Sequence, residues 1–393
     1  MKRAETLRSG AIHAPKRIHL VYPHGPQVSA PDSIGRHLGQ RLEAWYEVAY
    51  HDWHERGVIK PEPGDVLLGH PHPAQGTIFR RSARERGWAR VLMMAPYNHD
   101  LRQVAFEDSV IRDCDLFLAI TGPYWFGSVA ASPCAHWRPK MIHLDLAVDR
   151  SEFSALAREF RPAGERTFAY IGGTAAVKNT RYLTALARRM PGVRFAWIGT
   201  GERKIDGLEP FGQVDFSTAE GRAIVAQFDF LVTLGKADAN PTTILESMSW
   251  GLLPVCTPQS GYAGIPTITN VPLDDPDEAA AVLARLNTLP EQRLLAMQAE
   301  NWRLLDQHYN WERFADQVIA AIESTASPTL NPESCSRRIM FAYSTQRAPH
   351  GPLRTGLRRV FRKPGRLFRR GASAVRRMRR RPGVGHTPKG TQR

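Results

Sequence analysis

The feature that most constrains this chain is a rhythm. Short runs of Val, Ile, Leu and Met, each bounded by turn residues, alternate with helix-length stretches. The first is Arg17–Tyr22, followed by a Pro/Gly loop (Pro23 to Pro31) and a helix-like stretch over Ser33–Ala44. Further runs fall at Val48–His51, Val66–Gly69, Arg90–Ala95, Leu116–Thr121 and Lys140–Leu144. Such runs are apolar on both faces, and alternation with helices predicts a mostly parallel sheet covered on both sides. After a charged stretch, Arg150–Arg161, that reads as a helical connection, the rhythm restarts. Strands are predicted at Thr167–Ile171, Phe195–Gly199, Phe228–Leu234, Leu253–Cys256 and Thr267–Thr269, with helices at Thr180–Arg189, Glu220–Gln227, Thr242–Trp250 and Asp277–Leu286. Helices over Glu291–Gln307 and Trp311–Ile322 close the body. The parse is two doubly wound α/β domains, 1–150 and 151–310, a closing helix in 311–330 and a tail over 331–393. Ligands in such folds lie beyond the carboxyl ends of the strands, so a cleft is expected between the two domains.

Charge is distributed unevenly. The chain carries a net charge of +15, yet 18 of its 53 Lys and Arg residues and only one of its 38 acids lie in 331–393, leaving 1–330 close to neutral at −2. The basic, Pro/Gly-rich tail is expected to be largely disordered. Within it Leu353, Leu357, Val360 and Phe361 share one helical face, as do Leu367, Ala374, Val375 and Met378. This pattern over 353–381 suits contact with an anionic membrane surface or simple solvation. Sparse aromatic interleaving argues against nucleic acid. Four cysteines without paired spacing indicate neither a zinc module nor a disulfide framework, and no stretch has the length of a signal peptide core or a spanning helix. The expected location is cytoplasmic, with peripheral contact at the inner membrane face.

Two motifs carry chemistry. In Tyr170–Asn179 a strand ends in Gly172-Gly173 and presents Lys178 just before a helix. Glycines let backbone N–H groups approach a phosphate and a lysine neutralises it, although an ordinary strand-to-helix turn with a solvated lysine fits equally well. Neither G-x-G-x-x-G nor a Walker sequence occurs, which argues against nicotinamide binding and ATP hydrolysis. In Asp238–Glu246, Pro241 pre-sets a helix entry, and Thr242 and Thr243 occupy the first turn, where free N–H groups attract an anion. Asp238 and Glu246 suit a polyhydroxyl ligand, the alternative being a capped helix with a surface acid.

The segment Asp238 to Cys256 (acid, seven residues, Glu246, then Ser247-Met248-Ser249-Trp250-Gly251-Leu252-Leu253-Pro254-Val255) resembles the acid-x7-Glu signature of the group 1, retaining, GT-B glycosyltransferases. The lysine turn, Gly199-Thr200-Gly201, Ser260-Gly261-Tyr262 and Tyr309 to Ala315 follow in that family's order. The resemblance covers about Phe168–Ile322 by motif and the N-terminal half by rhythm. It implies a GT-B fold and a hexosyltransferase-like, metal-independent activity. Sugar would pass from a nucleoside diphosphate sugar to a glycan or lipid-linked acceptor with retention of configuration, and no cofactor would be needed. It implies that Lys178 binds the donor diphosphate with Thr242 and Thr243, that Asp238 touches the donor sugar and that Glu246 holds the ribose. Gly172, Gly173, Gly199 and Gly201 would allow close approach of the nucleotide. Asp238 stands where the family usually has Glu, and Gly173 where it usually has Arg, so the diphosphate lacks one cation unless Arg181 or Lys236 reaches in. A degenerate GT-B protein acting as a non-catalytic, membrane-associated partner in glycan assembly is the alternative. A nucleotide-sugar epimerase would need an N-terminal acid pair that is not found.

In the N-terminal half, polar and aromatic residues cluster at strand ends, as an acceptor site requires: Tyr22 to Gly25, Gly69 to His72 and Ala95 to Asp100. Gly25, His70, Asn98 and His99 are the expected acceptor contacts, and His99 loosely resembles a family histidine that touches the transferred sugar. His70-Pro71-His72 lacks a third ligand, so hydrogen-bonded loop histidines are expected there and no metal.

Overall fold

The computed structural model describes residues 16–23, 29–72, 78–99, 101–157, 159–201 and 204–330. All belong to one of the two compact units of the chain, Met1–Met340. Gly25 and the 353–381 tail lie outside the described residues.

The first sheet contains β1 (Arg17–Val21), β2 (Glu47–His51), β3 (Val66–Gly69), β4 (Arg90–Pro96), β5 (Leu116–Ile120) and β6 (Met141–Leu144). Its order is β2-β1-β3-β4-β5-β6 and every pairing is parallel, with His19 flanked by Ala49 and Leu67. The second contains β7 (Phe168–Ile171), β8 (Phe195–Ile198), β9 (Glu209–Gly212), β10 (Phe230–Thr233), β11 (Leu253–Cys256) and β12 (Thr269–Asn270), in the order β12-β11-β10-β7-β8-β9, again all parallel. The central strands β3, β5, β8, β10 and β11 are buried at every residue, as continuous apolar runs between two helical layers must be.

The helices are α1 (Ala30–Leu42), α2 (Ile78–Ser82), α3 (Leu101–Ile111), α4 (Pro123–Ser128), α5 (Thr180–Arg189), α6 (Ala219–Val225), α7 (Thr242–Trp250), α8 (Pro276–Thr288), α9 (Glu291–Gln307) and α10 (Trp311–Glu323). Local chemistry sets their ends. Ser29 caps α1, Asp275 accepts from two first-turn N–H groups of α8, and Asn310 accepts from Arg313 N at 2.8 Å to start α10. Gly251, at φ 99°, ends α7 in the left-handed region. Although α10 follows the second sheet in sequence, it packs beside the first. Trp311 stacks on His37 of α1 at 4.7 Å, and Arg41 Nη2 donates to Glu312 at 2.6 Å.

One expectation is corrected and one strand is unforeseen. Arg150–Arg161 forms no helix among its described residues; its apolar residues turn inward, and the N–H groups of Leu156 and Ala157 both donate to Trp250 O, at 2.8 and 2.9 Å. The chain is held there by tertiary partners rather than by its own ladder. In addition, β9 is a strand the sequence pattern hides, because Pro210 and Gly212 interrupt it; its edge position makes both tolerable.

The carboxyl ends of the two sheets face each other. Gly122, just after β5, donates its N–H to Ala239 O at 2.8 Å. Asn98, beyond β4, donates to Ala237 O at 3.2 Å, and Leu146, beyond β6, donates to Asn240 Oδ1 at 3.3 Å. Two doubly wound sheets meeting in this way make up the GT-B architecture.

Candidate functional site

In each sheet the chain reverses its direction of winding at one point, between β1 and β3 in the first and between β7 and β10 in the second. Diverging loops open a crevice at such points. The second crevice holds the strongest sequence candidates. Lys178 ends a one-turn 3-10 helix after β7, and Asn179 follows at φ 55°, the only non-glycine in the left-handed region among the described residues. That turn aims the lysine across to the loop after β10, where its ammonium donates to the Asp238 carboxylate. Asp238 is fixed through its backbone: its N–H donates to Gln259 O at 3.0 Å and its carbonyl accepts from Trp125 Nε1 at 2.8 Å.

Thr242 and Thr243 open α7 directly after Pro241, and no side chain caps that end. Its first N–H groups and the positive end of the helix dipole are therefore available to an anion. Asn240 holds the entry from behind, its Oδ1 accepting from Tyr262 Oη at 2.8 Å.

Glu246 lies one turn further along α7. It lines a tight pocket of about 30 Å³ with Thr242, His37 and Trp311, a pocket that neither Lys178 nor Asp238 lines. Burial pushes its carboxyl up to about 7, opposed by the hydrogen bond from Thr242. The structure thus joins Lys178 to Asp238 directly and sets Glu246 apart from them.

The glycines do mechanical work. A Cβ on Gly199 would lie 2.3 Å from Gly172 O, and one on Gly201 would lie 2.0 Å from Thr174 Oγ1. The loops after β7 and β8 therefore pack directly together. A Cβ on Gly173 would find only Thr200 O at 3.5 Å, so an alanine fits there without a clash.

On the facing side, His99 has its ring 5.0 Å from Trp125 and 5.5 Å from Tyr97. Burial lowers its pKa, keeping the imidazole neutral, and its buried Nε2 has no hydrogen-bond partner among the described residues. His70, buried at the β1/β3 crevice, contacts Trp53 edge-on at 5.1 Å; burial takes its pKa down to about 3. A group so far from protonation presents a neutral nitrogen, suited to hydroxyls rather than anions.

Trp125 is the residue that sequence reasoning missed. It stands on the short helix α4, touches His99 by its ring and reaches Asp238 O by its indole N–H, so it links the candidate groups of both sheets. A Pro-Tyr-Trp-Phe turn has no periodic signature, and only the tertiary contact reveals its role. Trp125→Phe keeps an aromatic ring and deletes the donor; it should cost about 1–2 kcal/mol by leaving a half-buried carbonyl unpaired and the indole's space partly empty, measurable by urea unfolding.

Neither a protein-family model nor a curated protein sequence matches the chain. Solved structures match it by fold. Sucrose-phosphate synthase from Thermosynechococcus elongatus superposes with a TM-score of 0.59 at 13% identity, over 78% of this chain and 98% of that one. A glycosyltransferase from Rickettsia africae gives 0.58 at 10% identity, over 79% and 98%. The catalytic domain of starch synthase IV from Arabidopsis thaliana, bound to ADP and acarbose, gives 0.55 at 10% identity, over 84% and 100%. The chain shares the GT-B fold of these proteins.

Proposed function

We propose that this chain is a glycosyltransferase that moves a sugar from a nucleoside diphosphate sugar to a glycan or lipid-linked acceptor, with retention of configuration. The observation that carries this reading is the Lys178–Asp238 pair at the β7/β10 crevice, beside the uncapped start of α7 and facing the first sheet of a GT-B fold. The diphosphate belongs at the α7 N-terminus, where Thr242 and Thr243 offer N–H groups. Asp238 accepts hydrogen bonds from the donor sugar, and Glu246 takes the ribose. Across the interface, neutral His99 pairs with a hydroxyl of the sugar in transit, and Asn98 and His70 belong to the acceptor side. The bond from the anomeric carbon to the diphosphate oxygen breaks as the acceptor oxygen bonds on the same face, and the acceptor proton passes to the departing phosphate. Helix N–H groups and side-chain cations meet the charge of the leaving group, without a metal or other cofactor. The starch synthase neighbour, bound to ADP and acarbose, supports the combination of nucleotide and glycan on this fold.

Among the described residues no helix is long and apolar enough to cross a membrane. Contact with an anionic membrane through 353–381 is part of the proposal and suits a lipid-linked acceptor.

Calorimetric titration with UDP-, GDP- and ADP-sugars tests the reading. One donor should bind selectively, and Glu246→Ala should weaken it about tenfold or more by removing a charged hydrogen-bond acceptor. Failure of all donors would favour the non-catalytic partner instead.

A further inference from the structure

We infer that the open pocket beside α5 is a phosphate-binding pocket, and that Arg181, Lys204 and Lys236, rather than Lys178, supply the charge that holds a nucleoside diphosphate. The inference rests on the glycosyltransferase reading and moves the phosphates from the start of α7, which does not line this pocket, to the cations beside α5. The pocket encloses about 720 Å³, within the range of small-ligand sites. Its cations arrive from three separate segments: Arg181 and Arg188 from α5, Lys204 from the loop between β8 and β9, and Lys236 from the loop after β10. The carboxylate in its lining, Asp206, lies 3.6 Å from Arg188, so these two charges offset each other. Arg181, Lys204 and Lys236 have no ion-pair partner among the described residues.

Like charges gathered around one concavity repel each other and lower the cost of bringing in an anion. The flanking groups reinforce this sign. Thr180 begins α5 and lines the pocket, and no side chain caps that helix. Lys236 also ties the pocket to the adjoining crevice, because its N–H donates to Val177 O at 2.8 Å, one residue before Lys178.

Lys178 is differently placed. It does not line this pocket, and its ammonium is committed to Asp238. Moving it to a phosphate would leave Asp238 without its counter-ion. Lys178 therefore serves as a positioning residue for Asp238, while Arg181, Lys204 and Lys236 meet the phosphates.

The experiment titrates the full chain calorimetrically with UDP, ADP, GDP, the matching nucleosides and inorganic pyrophosphate. The variants are the double replacement Arg181→Ala/Lys236→Ala, Lys204→Ala and Lys178→Ala. The substituted side chains in the pocket are exposed, so the fold should persist, which thermal unfolding checks. The double variant should lose about 30-fold or more in affinity for the tightest nucleoside diphosphate, as loss of two charge-assisted contacts predicts. Nucleoside binding should change less than about twofold, and Lys178→Ala should cost less than about threefold. Parent-like diphosphate binding by the double variant, or a larger loss from Lys178→Ala, overturns the inference while leaving the glycosyltransferase reading in place. If no nucleotide binds but pyrophosphate does so through Arg181 and Lys236, the pocket stands as a phosphate site and the donor reading falls. Binding of neither overturns both.

Discussion

Gly122→Ala is expected to part the facing loops of the two sheets while leaving each sheet folded. A Cβ at Gly122 would lie 2.0 Å from Gly261 O and 2.4 Å from Gly261 C, and both are backbone atoms that cannot swing aside. Gly261 is itself constrained: at φ 94° it sits against Ala239, whose oxygen is 2.4 Å from where its own Cβ would be. Absorbing the methyl in place would cost about 1–3 kcal/mol by overpacking, and a small separation of the two facing loops relieves it. Opening breaks the Gly122–Ala239 and Trp125–Asp238 hydrogen bonds and with them the bridge that Trp125 makes between His99 and Asp238. Small-angle scattering should show a larger radius of gyration. Sugar transfer should fall about 100-fold, the loss expected when reacting groups are displaced by about 1 Å. Donor binding should fall less than transfer, since Thr242 and the cationic pocket lie on the second sheet, while the pocket around Glu246 is walled in part by His37 and Trp311. An unchanged radius together with unchanged transfer would show that the contact has no role in alignment.

The expected division between binding and transfer follows from how the site is assembled, and the same division explains what the sequence shows. Strands such as Val66–Gly69 and Leu253–Cys256 are legible because burial on both faces leaves an unbroken apolar run between turn residues. The Asp238–Glu246 motif is legible because a helix entry has fixed spacing. Contacts that depend on the docking of the two sheets leave no such trace. Trp125 and Asp238 are 113 positions apart, and nothing periodic connects them. Arg150–Arg161 misleads for the same reason, since its charges mimic a solvated helix while its backbone is claimed by Trp250. Glu246 is a mixed case: spacing finds the residue, but two walls of its pocket, His37 and Trp311, come from α1 and α10.

Burial gives Glu246 an unusual pH dependence. Its carboxyl ordinarily titrates near 4.5 and is pushed up to about 7 by burial. Around its pocket stand Asp149, Glu152, which is paired with Arg36 at 3.0 Å, and His37, whose pKa burial lowers and which therefore offers no cation above neutrality. Between the two values the folded chain keeps the proton that the unfolded chain releases, so the unfolded state binds fewer protons and stability falls as pH rises. The contribution is fully present below the unfolded value and lost through about 7, a total of about 3 kcal/mol for a shift of this size. Glu246→Gln cannot ionise. It should unfold in urea with nearly the parent's stability at pH 5 and exceed it by up to about 3 kcal/mol at pH 8. Parallel stability profiles for the two proteins would show that the carboxyl is not raised. Ligand binding should run the other way. If Glu246 holds ribose hydroxyls, the carboxylate is the better acceptor, and nucleotide affinity should rise through pH 7 in the parent and stay flat in Glu246→Gln. Opposite slopes for stability and affinity in one protein, both erased by one substitution, would mean that the chain tolerates a destabilised carboxylate for the sake of what it binds.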